Sequence, residues 1–359
     1  MPSSSPDDTE RFRRIARLLW VAIAILACVT AAGFAFSGLH IAPATNPFLI
    51  AGFGYCLIGW VYGSVRPDEQ IAIAIEMTGQ LLLIVILAIV LSYPAAVTAF
   101  PYRDAELYAI DQWLGFNRHA YVDFVSNRDW LVRTVNIIYL TMQPQLGLVP
   151  LVLILARKLD RLQEFVVAFS IALVLTMAIF VFVPAVGAFV YVDLSPEQYA
   201  RLPATVYTPA RTLEALRSGT LAFVPLDDLE GLVAFPSFHT AAGLLYAWAL
   251  WPLRRLRWPA IILNCAMIAT TPLGGAHYVT DVLGGAIITA LALVVARRVC
   301  AERPQVRLIR HTPNPAASIG RSSLLCRVFA LVIRLRRRLC ANIPKLSAIA
   351  RLLRGRLPA

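Results

Sequence analysis

The fold class this sequence predicts is an all-α, polytopic membrane bundle, and three observations predict it. Of 359 residues, 58% are hydrophobic and 15% are charged, against about 25% charged in soluble domains. Mean hydropathy is +0.67. Apolar runs near the roughly 20 residues that cross a bilayer recur between polar loops. The formal net charge of +12 is unevenly placed. From Arg297 onward there are 15 Lys/Arg against one acid, Glu302, whereas the preceding 296 residues carry 18 basic and 20 acidic residues. An arginine-rich segment just after a membrane helix meets anionic lipid head groups, not nucleic acid.

Residues 1–17 form a polar, then basic N-terminus, expected to be disordered, in which Arg11, Arg13, Arg14 and Arg17 precede the first apolar run. That run is long enough to span and has no small-residue cleavage pattern, so it reads as a helix rather than a signal peptide. Eight spans are expected in a catalytic domain of residues 18–296, near 18–37, 46–63, 71–93, 132–155, 164–184, 236–253, 259–274 and 278–296. The sixth and seventh are short, and the seventh contains Asn264 and Pro272. The basic tail, 297–359, predicts an amphipathic helix over Ser322–Leu339 on the inner leaflet, with Leu324, Val328, Leu331 and Leu335 on its apolar stripe.

Loop charge sets orientation, because Lys and Arg are retained in the cytoplasm. Arg66, the Arg157/Lys158/Arg161 cluster and the Arg254/Arg255/Arg257 cluster fall in alternate loops, while 94–131 nets −2 and 185–235 nets −3. Both termini are therefore expected in the cytoplasm, in a multi-pass protein of the plasma (inner) membrane, with the acidic loops outside. One outer loop predicts an interfacial helix over Tyr102–Asn117, with Leu107, Ile110 and Leu114 on its stripe and Asp104 and Asp111 near the edges. Trp113 and Trp130 fit an aromatic belt. The six cysteines form neither a C-x-x-C pair nor a disulfide framework and read as packing residues.

Two stretches carry the chemistry: Phe235-Pro236-Ser237-Phe238-His239-Thr240 and Gly274-Gly275-Ala276-His277-Tyr278-Val279-Thr280-Asp281. The expected topology brings His239, His277 and Asp281 to one membrane face, joined by a helical hairpin. His277 and Asp281 are four apart and share a helix face. One imidazole can attack a phosphoester while the other protonates the leaving oxygen, and the carboxylate fixes a tautomer and stabilises the imidazolium. An Asp inside a membrane segment is costly and by default functional or paired. Gly274 and Gly275 let the backbone approach phosphate oxygens, and helix N-termini offer N–H groups. Ser237 and Tyr278 are counted with them as substrate contacts. For a phosphate-binding cation the outer loops offer Arg103, Arg118, Arg128, Arg133, Arg201, Arg211 and Arg217, with Arg133 first because it opens the fourth span. Gly284-Gly285 read as packing residues. The residue spacing supports no metal site, and no cofactor is expected.

AFPSFHT and GGAHYVTDVLGG resemble the second and third motifs of the type 2 phosphatidic acid phosphatase superfamily, nearest its inositolphosphotransferase branch, which includes inositol phosphorylceramide synthase. The resemblance covers residues 235–285. It implies that His277 becomes phosphorylated and that His239 is the acid–base. The superfamily's first motif has no outer-face match, since Arg66-Pro67 falls in a cytoplasmic loop, and Thr270-Thr271 stands where the phosphatases carry Ser-Arg. The expectation is a phospholipid phosphotransferase with a periplasmic active site; water as acceptor makes it a lipid phosphatase instead. A transporter or scaffold expects charges along a midplane path, whereas here they gather at one interface.

Overall fold

The computed structural model describes residues 6–301 apart from 43, 66–67, 99, 192–194 and 203–205. The segment 302–359, with the expected Ser322–Leu339 helix, and residues 1–5 lie outside the described residues. The architecture is all-helical: α1 (Pro6–Ser37), α2 (Pro47–Val65), α3 (Glu69–Ala96), α4 (Asp104–Trp113), α5 (Arg118–Ser126), α6 (Asp129–Leu140), α7 (Met142–Leu155), α8 (Leu159–Phe182), α9 (Pro196–Arg201), α10 (Thr208–Arg217), α11 (Phe238–Leu250), α12 (Arg257–Gly274) and α13 (Val279–Ala301). Two three-residue strands, β1 (His40–Ala42) and β2 (Phe223–Pro225), pair in parallel.

α3 and α8 are the central helices. α3 packs on α1, α2 and α8, and α8 packs also on α11 and α13. Met77, Leu81 and Ile84 of α3 meet Phe165 and Phe169 of α8 and Tyr246 of α11 in one buried cluster. Between helices in lipid, cohesion comes from such close packing rather than from escape from water.

α1 starts at Pro6, ahead of the apolar run, because its arginines have partners. Arg11 pairs with Asp160, Arg13 Nε donates to Glu69 at 2.8 Å, and Arg14 Nη2 donates to the Val299 carbonyl at 2.6 Å. Arg157 binds Asp68 at 2.7 Å. The starts of α1, α3 and α8 and the end of α13 therefore share one end of the bundle.

Among the described residues, five helices (α1, α2, α3, α8 and α13) are long and apolar enough to cross a membrane, and α6 with α7, bent by 44° at Thr141, makes a sixth when counted as one span. The other two expected spans are helical but fall short. α11 is capped by Ser237 and has 13 residues, about 20 Å at 1.5 Å per residue, against roughly 30 Å of hydrocarbon. α12 carries Arg257, Asn264 and Pro272 among its 18 residues.

Candidate active site

Three helix ends meet at the other end of the bundle. α11 begins at Phe238, where Ser237 caps it by accepting from Thr240 N at 3.3 Å. α12 ends at Gly274, and α13 starts at Val279. Gly285 lets α13 close on this start: a Cβ there would strike the Ser237 carbonyl. Ser237 N also donates to the Asp281 carbonyl at 3.0 Å. The packing role expected of Gly284-Gly285 is what the geometry shows.

His277 sits in the turn before α13, not on the helix, yet its Nδ1 lies 3.1 Å from Asp281 Oδ2. The same oxygen accepts from Tyr278 N at 2.8 Å. Asp281 reaches back over the first turn as the acidic member of a capping box does. His277 is 3% exposed and Asp281 is fully buried. The His239 and His277 ring centroids are 6.2 Å apart, so two imidazoles and a carboxylate do converge. Tyr139 of α6 stacks on His239, with centroids 4.0 Å apart and planes 15° apart, and its hydroxyl lies 3.2 Å from His239 Nδ1.

Both histidines line a cavity of about 340 Å³. One wall is apolar, from Val85, Ile86 and Ile89 of α3 to Phe169, Leu173 and Met177 of α8. Asn46, Thr208, Asp227 and Glu230 lie at its polar part. Among the described residues, no Lys or Arg lines it.

Of the other expected contacts, Gly275 lines the cavity, whereas Arg133, Ser237, Gly274 and Tyr278 do not. Arg133 is exposed and does not line the cavity: α6 buries Val132, Val135 and Tyr139, and a residue one step from Val132 turns about 100° away. Ser237 is a fully buried cap. Tyr278 donates its hydroxyl to Asp104 Oδ1 at 3.1 Å, on a side that does not line the cavity. Gly274 and Gly275 make room for a side chain: a Cβ on Gly274 would lie 2.8 Å from Tyr139 Cγ, and one on Gly275 would meet the Tyr139 hydroxyl and lie 2.7 Å from His277 Cδ2.

The sequence reading missed the support beneath His277. On α4 the stripe of the expected interfacial helix divides: Ile110 and Leu114 are exposed, whereas Leu107 is buried together with Asp104 and Asp111. Asp104 accepts from the Val186 and Gly187 N–H groups, both at 2.9 Å, and from Tyr278. Asp111 accepts from Val279 N, Thr280 N and Thr280 Oγ1, each at 2.9 Å, capping α13 from a different helix. Arg118, 1% exposed, pairs with Asp111 at 3.1 Å and donates to the Pro272 carbonyl at 3.1 Å and the His277 carbonyl at 2.9 Å. Burial lowers the affinity of this guanidinium for its proton, and Asp111 offsets that. Among the described residues no group of three or more His, Cys, Asp or Glu is arranged to hold a metal ion.

The sequence profile of the PAP2 superfamily matches residues 105–295, from α4 through most of α13. No curated protein and no solved structure matches the chain. With more than half its length matched, the two histidines and Asp281 inside that match, the chain belongs to the PAP2 superfamily and is an enzyme of this phosphatase and phosphotransferase class.

Proposed function

We propose that this enzyme is a phosphotransferase that takes the phosphorylated head group of a phospholipid diester and passes it to a lipid or sugar hydroxyl. The observation that carries this reading is the cavity's charge: both imidazoles face it, Asp227 and Glu230 line it, and no Lys or Arg does among the described residues. Sites that transfer a phosphate dianion usually clamp it with Arg, Lys or metal. A phosphodiester brings one negative charge, which two imidazoles and the N–H groups of the α11 start can meet. The resemblance of the two motifs to the inositolphosphotransferase branch points the same way.

In this reading Asp281 accepts from His277 Nδ1–H, so Nε2 carries the lone pair. Nε2 attacks phosphorus in line, a P–N bond forms and the P–O bond to the lipid alcohol breaks. His239 gives that oxygen its proton. His239 then takes the proton of the acceptor hydroxyl, whose oxygen attacks phosphorus and releases His277. The site faces the periplasm, because the arginine-bearing loops gather at the opposite end of the bundle and Lys and Arg stay inside. The basic tail, 297–359, meets anionic lipids of the inner leaflet.

The test uses purified protein in vesicles with head-group-labelled phospholipid and candidate alcohols. The expected result is a new phosphorylated product and a trapped acid-labile, base-stable phosphoenzyme that is lost in His277→Ala. A phosphatidate labelled on phosphorus runs beside it: free phosphate from that monoester, with the diester left intact, reassigns the enzyme as a phosphatase; a phosphoenzyme that persists in His277→Ala removes the mechanism.

A further inference from the structure

We infer that the end of the bundle opposite the histidines carries a site for the phosphate of an anionic phospholipid, built from Arg161 of α8, Trp248 of α11 and Arg297 of α13. The inference deepens the lipid contact given above to the basic tail, which begins at Arg297, and rests on that reading of this end of the bundle. The reaction plays no part in it.

The three helices pack on one another. Arg161 Cζ lies 4.0 Å from the Trp248 ring centroid, and Arg297 Cζ lies 5.9 Å from it. Two guanidiniums therefore share one half-buried indole, close enough that their charges repel. Four other arginines at this end meet carboxylates: Arg11 pairs with Asp160, Arg13 with Glu69, Arg17 with Glu10 and Arg157 with Asp68. Arg161 has only Glu164, at 3.8 Å and beyond hydrogen-bond reach. Arg297 pairs with no carboxylate, and the Trp248 indole N–H has no acceptor, among the described residues. A guanidinium held over an aromatic ring still has its N–H fork to offer a phosphate oxygen. Two cations and an N–H donor, with one distant carboxylate, suit an anion.

The surroundings favour a lipid over a soluble anion. On α13, Leu291 and Val294 precede Arg297 at three-residue steps and are 54% and 50% exposed, an apolar surface for acyl chains beside the head group. Trp248 and the Trp251–Trp258 pair, with centroids 6.3 Å apart, mark the head-group level of a bilayer. Basic pockets between membrane helices at that level take anionic head groups. A snorkelling arginine reaches the same level, but it needs neither a second arginine nor a shared ring. A phosphate here offsets the repulsion and ties α8, α11 and α13 together.

The test uses the full-length protein in phosphatidylcholine vesicles holding a small fraction of phosphatidylglycerol with a photoactivatable group near its phosphate. Crosslinked peptides are identified by mass spectrometry. Label is expected near residues 161, 248 and 297, displaced by unlabelled phosphatidylglycerol but not by phosphatidylcholine or inorganic phosphate. In Arg161→Gln with Arg297→Gln, the phosphatidylglycerol fraction for half-maximal labelling there should rise roughly thirtyfold. Arg254→Gln with Arg255→Gln removes the same charge from the neighbouring loop and should shift it less than about threefold. Equal shifts in the two double variants would mean diffuse surface charge and overturn the site, and displacement by inorganic phosphate would overturn the lipid. Wild-type protein without label near these residues overturns the inference whether or not the variants insert. Peptides from 307–359 report on the tail in the same digest. A labelled tail beside an unlabelled site sinks this inference alone; no label on either sinks the tail reading with it.

Discussion

Removing Arg118 should destabilise the fold strongly although it lies on a short helix outside the spans. Its guanidinium is 1% exposed and holds Asp111 and the carbonyls of Pro272 and His277. In Arg118→Ala the Asp111 carboxylate stays buried with its three donors from Val279 and Thr280 but without a countercharge. Breaking a buried pair from one side costs about 3–5 kcal/mol, and each carbonyl left without its donor adds up to about 1–3 kcal/mol. Solvent screening does not reduce this figure, because both partners are almost fully buried. Unfolding in mixed micelles by titration with a denaturing detergent should show a loss of at least about 3–5 kcal/mol from the broken pair, with the two carbonyls adding to it. Arg118→Met with Asp111→Asn should lose less than the sum of the single variants, with a coupling of about 0.5–3 kcal/mol. An Arg118→Ala protein within about 1 kcal/mol of wild type would refute the claim that this pair anchors the turn carrying His277.

Four more outcomes follow. Asp281→Asn keeps a group able to accept from Tyr278 N but loses the charge beside His277; turnover should fall roughly 10²- to 10⁴-fold with insertion intact, measured as phosphoenzyme formation. Gly187 has φ 123°, and a Cβ there would lie 3.2 Å from the Ala276 carbonyl oxygen, so Gly187→Ala should cost about 1–3 kcal/mol in the same unfolding assay. Ala276, at φ 54°, should behave oppositely: Ala276→Gly relieves about 1–2 kcal/mol of left-handed strain against about 0.5–1 kcal/mol of chain entropy, leaving stability equal or slightly higher. EDTA should leave turnover unchanged, and inhibition reversed by added metal would contradict a reaction run on imidazoles alone.

The convergence of His239, His277 and Asp281 was legible because two motif stretches flank one helical hairpin and loop charge gives that hairpin a direction. The rest depended on partners that the chain does not advertise. Asp104 and Asp111 sit seven apart on a loop helix, a pattern that reads as a solvated edge; they are buried because backbone N–H groups of Val186, Gly187, Val279 and Thr280 await them. Arg133 was favoured for its position along the chain, whereas its direction is set by the Val132–Val135–Tyr139 face. Tyr139 reads from the sequence as a residue below Arg133 on the fourth span; its contact with Gly274 and Gly275 joins two stretches that the chain keeps 135 residues apart. The short span at α11 was partly visible in its length, but its true start depends on the Ser237 cap.

The two faces of α4 have unequal neighbours. Trp113 is 84% exposed, and Ile110 and Leu114 are 41% exposed each, apolar groups suited to the head-group boundary of a bilayer. The buried side holds the Tyr278 hydroxyl through Asp104 and the Val279 and Thr280 N–H groups through Asp111. A membrane that shifts α4 would therefore pull on the turn carrying His277, and turnover in vesicles of graded chain length should change without any substitution.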